Sequence, residues 1–222
     1  MSARSKNFLV VGLLLVGLSS LAQAQNMILL KDINGNPWRT DSYANVKGSP
    51  YMTNDWVEGY LRLNKSQQPL KNIQLKFNTY TNELIVLKSN TAIVVSNVTE
   101  FGWKGATGDS LKFKIVNVEG HKPGTFFQEL FMGENKLYKH TLTTMIQTSA
   151  GYSDARKIDE FVTSGKLYIV NTSGSFEIRN KKDLKKALSG YGEKLDKILE
   201  ARNISIKNDS EVVSLLKDVE TK

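Results

Sequence analysis

His121 and His140 are the only imidazoles in a chain of 222 residues that contains no cysteine. A zinc site would need both of them and carboxylates gathered around them by the fold. They stand 19 residues apart, His121 in a loop segment and His140 in a strand segment, so the spacing predicts two ordinary surface histidines. Asp32, Asn34 and Asn36 occupy the first, third and fifth places of a calcium loop. Pro37 stands where that loop needs glycine and Tyr43 where it needs glutamate, so a hairpin turn accounts better for the same residues. Nucleophilic chemistry has no local signature, since neither a G-x-S-x-G elbow nor an S-x-x-K/S-D-N/K-T-G set is present. The carboxylate pairs Asp55 with Glu58 and Asp159 with Glu160 read as solvated surface rather than a glycosidase pair. No G-x-G-x-x-G or phosphate-binding loop points to nucleotides. The expectation is a protein without cofactor, metal or catalytic centre.

Two groups of residues are suited to binding. Arg179, Lys181, Lys182, Lys185 and Lys186 form a basic cluster opposed only by Asp183, placed to meet an anionic lipid surface or an acidic glycan. Cations disfavour a helix N-terminus, which is where this cluster falls. Trp38, Tyr43, Tyr51, Trp56 and Tyr60 concentrate aromatic side chains in the N-terminal half. Such rings serve sugar recognition or fill a β core, and the core is the reading adopted here.

The elements that would position these groups begin after residue 24. Residues 1–24 have basic residues at Arg4 and Lys6, an apolar run of 11 residues from Phe8 to Leu18, and Ala22-Gln23-Ala24. That is the pattern of a cleaved signal peptide, and the run is shorter than the ~20 residues a membrane helix needs. The expected mature chain, residues 25–222, carries 28 basic and 22 acidic residues, a net charge of +6. No later segment has the length of a transmembrane helix, nucleic acid is a poor match for an exported chain, and no cysteine is available for lipid modification. The predicted location is periplasmic or secreted.

Residues 25–179 read as an antiparallel β-rich domain. Asn34-Gly35 marks a hairpin, and Val57, Leu61 and Leu63 alternate in a strand. In the stretch NIQLKFNTYTNELIVLK the apolar residues change parity between Phe77 and Tyr80. A two-residue turn at Thr79-Tyr80 would set Leu75 opposite Leu84 and Ile73 opposite Val86. Strands are also expected at 92–98, 110–118, on both sides of Gly133-Glu134-Asn135, and around Ser173-Gly174. Thr143 to Ile158 is polar and without period, and is predicted to be a long loop.

Residues 180–222 read as helical. Leu184, Leu188, Tyr191, Leu195 and Ile198 or Leu199 form an apolar stripe, with Asn180 as N-cap and Gly190 and Gly192 as breaks. Asn208 with Glu211 three residues on is a capping-box pattern for a last helix. The blocks GSPYMTNDWVEGYLRLN, LKFNTYTNELIV and KLYIVNTSGSFEIRNKKDLKKAL resemble those of a group of uncharacterised exported bacterial proteins of about this size. In that group a G-S-P-Y block precedes the strands and a basic helical tail ends the chain. The resemblance implies an envelope protein and no active-site residue. The fold expected is α+β: an antiparallel meander, curved, half-closed or closed into a barrel, with C-terminal helices. The function expected is a non-enzymatic binding or structural module of the envelope, its partner another protein, glycan or anionic lipid. The alternative is a periplasmic carrier of a lipid or other apolar ligand held in the curved sheet.

Overall fold

The computed structural model describes Tyr43, residues 45–64, Ser66, residues 68–151 and residues 154–221. The segments expected as a signal peptide (residues 1–24) and as a hairpin at Asn34-Gly35, together with Asp32 and Trp38, lie outside the described residues. Among the described residues, ten strands form one antiparallel sheet that is curved but not closed. In chain order they are β1 (Val57–Leu63), β2 (Leu70–Asn78), β3 (Glu83–Lys88), β4 (Thr91–Val94), β5 (Val98–Lys104), β6 (Ser110–Ile115), β7 (Phe126–Phe131), β8 (Lys136–Gly151), β9 (Asp154–Asn171) and β10 (Gly174–Ile178). Their spatial order is β10-β9-β8-β7-β6-β5-β1-β2-β3-β4, so every neighbour but the β5–β1 pair is adjacent in sequence. Three helices follow: α1 (Lys181–Ala187), α2 (Gly192–Ala201) and α3 (Asp209–Glu220).

Local chemistry explains the turns. The β2–β3 hairpin predicted at Thr79-Tyr80 exists, but Leu75 faces Val86 and Phe77 faces Leu84. The loop is therefore two residues longer than expected, which shifts the register by two and keeps every side chain on its predicted face. Asn78 Oδ1 accepts hydrogen bonds from the Tyr80 and Thr81 N–H groups, and Asn82 takes the left-handed conformation at φ 59°. An Asx turn thus outcompetes a two-residue turn.

Two strand expectations need correction. The single strand expected at 92–98 is divided by a turn with Asn97 at φ 60°, and β5 begins at Val98. β5 was not anticipated because Gly102 interrupts its pattern. That glycine is required by close approach: a Cβ on Gly102 would lie 2.5 Å from the Leu111 carbonyl oxygen and 2.9 Å from the Tyr60 ring. The larger correction concerns residues 143–158. Residues 143–151 belong to β8 and 154–158 to β9, which pair continuously from Lys136 opposite Val170 to Ser149 opposite Lys157.

Two large cores share one face of the sheet. At one side, Leu137, Leu167, Ile169 and Ile178 meet Leu184, Leu188, Leu195, Val212, Leu215, Leu216 and Val219 from the helices. Caps fix those helices as the sequence predicts. Asn180 accepts from the Lys182 and Asp183 N–H groups, and Asn208 from Ser210. Glu211 reaches back past Asn208 to the Ser205 N–H at 2.7 Å, and a 3-10 turn at Ser189–Tyr191 separates α1 from α2. At the other side, Phe77, Phe101, Phe113, Phe126 and Trp103 fill the curve of β1–β7. Their ring centroids lie 4.9 to 5.9 Å apart for the pairs made by Phe101. These rings, rather than Tyr43, Tyr51, Trp56 and Tyr60, are the aromatic core. The latter four stay half-buried, Lys76 Nζ lying over the Tyr51 ring at 4.9 Å and the Trp56 ring at 5.4 Å.

Candidate functional site

The β8–β9 hairpin extends past the sheet. β7 pairs with β8 only as far as Lys139, and β10 with β9 only as far as Leu167. Beyond these points the two strands continue as a ribbon, the nine residues from Thr141 to Ser149 spanning about 30 Å of strand. One face of the ribbon is anchored. Thr143 Oγ1 lies 2.7 Å from Thr79 Oγ1 and 2.7 Å from Thr163 Oγ1, and Phe161 packs edge-on against Tyr43 and Tyr80. Lys47 bonds through its backbone to Asp159 and Phe161 and through Nζ to Glu160 at 2.9 Å.

The opposite face carries Glu160, opposite Ile146 and paired with Lys47, and exposes apolar side chains beside it. Leu142, Ile146 and Val162 are 37%, 43% and 41% exposed. Val162 stands opposite Thr144, diagonally between Leu142 and Ile146, so the three form one strip. The outer edge of β9 is also open for a short length. The Phe161 N–H points away from β8 to Lys47, which by alternation turns the N–H and C=O of Thr163 and Gly165 outward. Neither residue has a backbone partner on that side among the described residues.

The strip leads into the place where the histidines meet. The loop between β6 and β7 crosses the sheet, its Glu119 N–H donating to Ser175 Oγ on β10 at 3.1 Å. This carries His121 onto β8 and β9. Its ring centroid lies 4.7 Å from that of His140, and its Nε2 is 2.9 Å from the Tyr168 hydroxyl. The expectation of two surface histidines fails here, because strand alternation turns His140 toward the loop and leaves it 9% exposed. Burial, the neighbouring His121 and Lys166 push its pKa down to about 4. Burial likewise lowers His121, reinforced by Lys166 and opposed by Glu177, and burial with Glu177 pushes Tyr168 up to about 12. A cavity of about 420 Å³ opens beside the pair, lined also by Leu142, Lys166 and Glu177. Two neutral imidazoles offer two nitrogen ligands, but among the described residues no group of three or more His, Asp or Glu gathers for a metal. Perturbed groups beside a cavity are the usual mark of a working site; here, burial under the loop accounts for most of the shift.

A second opening lies at the far end of the sheet, a half-open pocket of about 360 Å³ lined by Leu61, Leu63, Leu70, Ile73, Val86 and Val95, with Lys71 and Lys88 beside them. The basic cluster is arranged differently from a single patch. Lys185 pairs with Asp196 at 2.6 Å, Arg179 with Asp183 at 3.6 Å, Lys181 donates to Asn203 at 3.3 Å, and Lys186 lies over the Phe176 ring at 5.9 Å. Lys182 stands exposed on α1. Asp55 and Glu58 form no ion pair among the described residues, and Glu160 is held by Lys47. No helix among the described residues is long and apolar enough to cross a membrane. Comparison with protein-family models, with curated proteins and with solved structures gives no match.

Proposed function

We propose that this chain is an exported, non-enzymatic module of the cell envelope that binds an extended segment of another polypeptide along the β8–β9 ribbon. The observation that carries this reading is the strip of Leu142, Ile146 and Val162 beside the open edge at Thr163 and Gly165. An edge with free backbone groups accepts an incoming strand, and apolar side chains next to it give the contact its area. Exposed apolar groups on a rigid, protruding hairpin are what an interaction surface requires. The signal-peptide pattern of residues 1–24 and the likeness of the three sequence blocks to exported envelope proteins support the compartment.

A photo-crosslinking residue placed at Ile146 or Thr163, in cells expressing the full-length gene, tests the reading. The expected result is one discrete heavier adduct at each position and none from Lys104 at the distant end of β5. The reading is overturned if the ribbon positions give no adduct, or if Lys104 gives the same adducts.

A further inference from the structure

The pocket at the open end of the sheet has a structural origin that the ribbon does not share. Gly59 faces Ile73 while Leu61 faces Leu70, so two residues of β1 are matched by three of β2. Asn72, at φ 55°, absorbs the extra residue as a bulge. On the other flank of β1, Arg62 faces Glu100 but Leu63 faces Val98, a second bulge at the same end of the strand. The first bulge turns both Leu70 and Ile73 toward the side of the sheet that carries Leu61; Leu63 lies on that side by alternation, and the second bulge, in β5, brings Val98 to it. The aromatic cluster fills the middle of the curve, while no helix among the described residues packs over this end. What remains is an apolar pocket of about 360 Å³, near the lower limit of the ~300–1,000 Å³ usual for small-molecule sites.

Its charge is one-sided. Lys71 and Lys88 are the only titratable residues that line it, and neither makes an ion pair among the described residues. Some strand lysines are matched, Lys112 and Lys114 holding Glu129 at 2.8 and 2.7 Å and Lys139 holding Asp209 at 2.6 Å, while Lys104 and Lys136 make no ion pair among the described residues; what sets Lys71 and Lys88 apart is that both border one apolar pocket. We infer that this pocket binds a single long-chain carboxylate, a free fatty acid. Its hydrocarbon chain lies among Leu61, Leu70, Ile73 and Val86, and its carboxylate meets Lys71 and Lys88. The small volume selects one chain rather than two, and the two unmatched cations select an anionic head over a neutral one.

The test uses palmitate carrying ¹³C at its carboxyl carbon, added to delipidated protein recovered from cells expressing the full-length gene. One saturable site is expected, with a shifted carboxyl resonance. Hexadecanol, which has the chain without the charge, should compete at least tenfold less well. The Lys71→Glu/Lys88→Glu variant, changed only at exposed positions, should lose at least tenfold in palmitate affinity with an unchanged thermal midpoint. Ile73→Trp should abolish binding by filling the pocket. The inference is overturned by absent palmitate binding, by equal competition from hexadecanol, or by binding indifferent to the lysine reversal. Substitutions on the ribbon should leave palmitate binding unaltered, so this site and the proposed polypeptide contact stand or fall separately.

Discussion

The two large cores of this molecule are built from different side chains because they are closed in different ways. Beneath the helices the filling is aliphatic: Leu184, Leu188, Leu195, Leu215 and Leu216 meet Leu137, Leu167 and Ile169. Within the bend of β1–β7 five large rings, of which Phe101 and Phe113 stack at 4.9 Å with an interplanar angle of 12°, share the filling with Leu61, Leu75, Leu84, Val86 and Val98. A helix laid on a sheet presents ridges that branched aliphatic groups fill densely. A sheet curling toward itself leaves a wider gap that flat rings span. The first arrangement is sealed on both sides by secondary structure. Among the described residues the second has no lid, and its end is open where the bulges flanking β1 lie.

The largest effect should come from breaching the sealed core. Leu188→Asp puts a charge at a position 1% exposed, between α1 and the sheet. The expected result is loss of the cooperative thermal transition, because a buried unpaired charge costs several kcal/mol. A transition like the parent's would mean that the helices contribute nothing to the fold. Phe101→Ala breaches the aromatic core at its centre and should cost about 3–5 kcal/mol in urea unfolding. A loss below about 1 kcal/mol would show that the open-ended core relaxes around the missing ring, unlike the sealed one.

Smaller effects probe how each region is pinned. Glu220, at the end of α3, accepts from the Glu134 and Asn135 N–H groups and from the Asn135 side chain. Glu220→Ala strips acceptors from the β7–β8 turn and should cost about 1–3 kcal/mol, with hydrogen exchange accelerated at Glu134 and Asn135. The pH dependence isolates the loop over the sheet's other face. His140 is lowered to about 4 in the folded chain from an ordinary value of 6.5. Between these values the unfolded chain binds more protons, so stability is complete above pH 6.5 and falls as the pH drops toward 4. His121, lowered in the same direction, adds to this slope. Thermal midpoints at pH 7 and pH 5 should differ by less in His140→Gln than in the parent; equal differences would show that the imidazole titrates freely. Least of all, reversing Lys181, Lys182, Lys185 and Lys186 to glutamate should move stability by less than about 1 kcal/mol, since exposed ion pairs contribute little. Loss of binding to anionic vesicles in that variant would assign the cluster a surface role; absent binding in the parent would leave it a solvated face.

How far the fold was legible follows the same division. The helices were readable because caps and a 3.6-residue stripe are local and each residue of the stripe meets the same core. The β2–β3 pairing was readable by parity but not by register, since the Asx turn at Asn78 depends on side-chain geometry that alternation does not encode. The ribbon was mistaken for a loop because one of its faces is mostly solvent and its other face is held by threonines and a single phenylalanine, so no hydrophobic period is imposed on it. The open pocket was foreshadowed only as a general possibility of a curved sheet; its bulges are two-against-three mismatches that no single strand displays.

The amino-acid sequence by itself determined that strands precede helices, the helix starts at Asn180 and Asn208, and which residues of most strands face inward. Those properties depend on neighbours within a few positions. The tertiary structure alone decided that His121 and His140 touch, that Lys71 and Lys88 share an apolar rim, and that Leu142, Ile146 and Val162 align on one exposed face. Each of these brings together residues from different strands, or the two sides of a long hairpin. Their proximity is set by loop crossing, bulges and sheet curvature, which are cooperative outcomes of packing the whole chain.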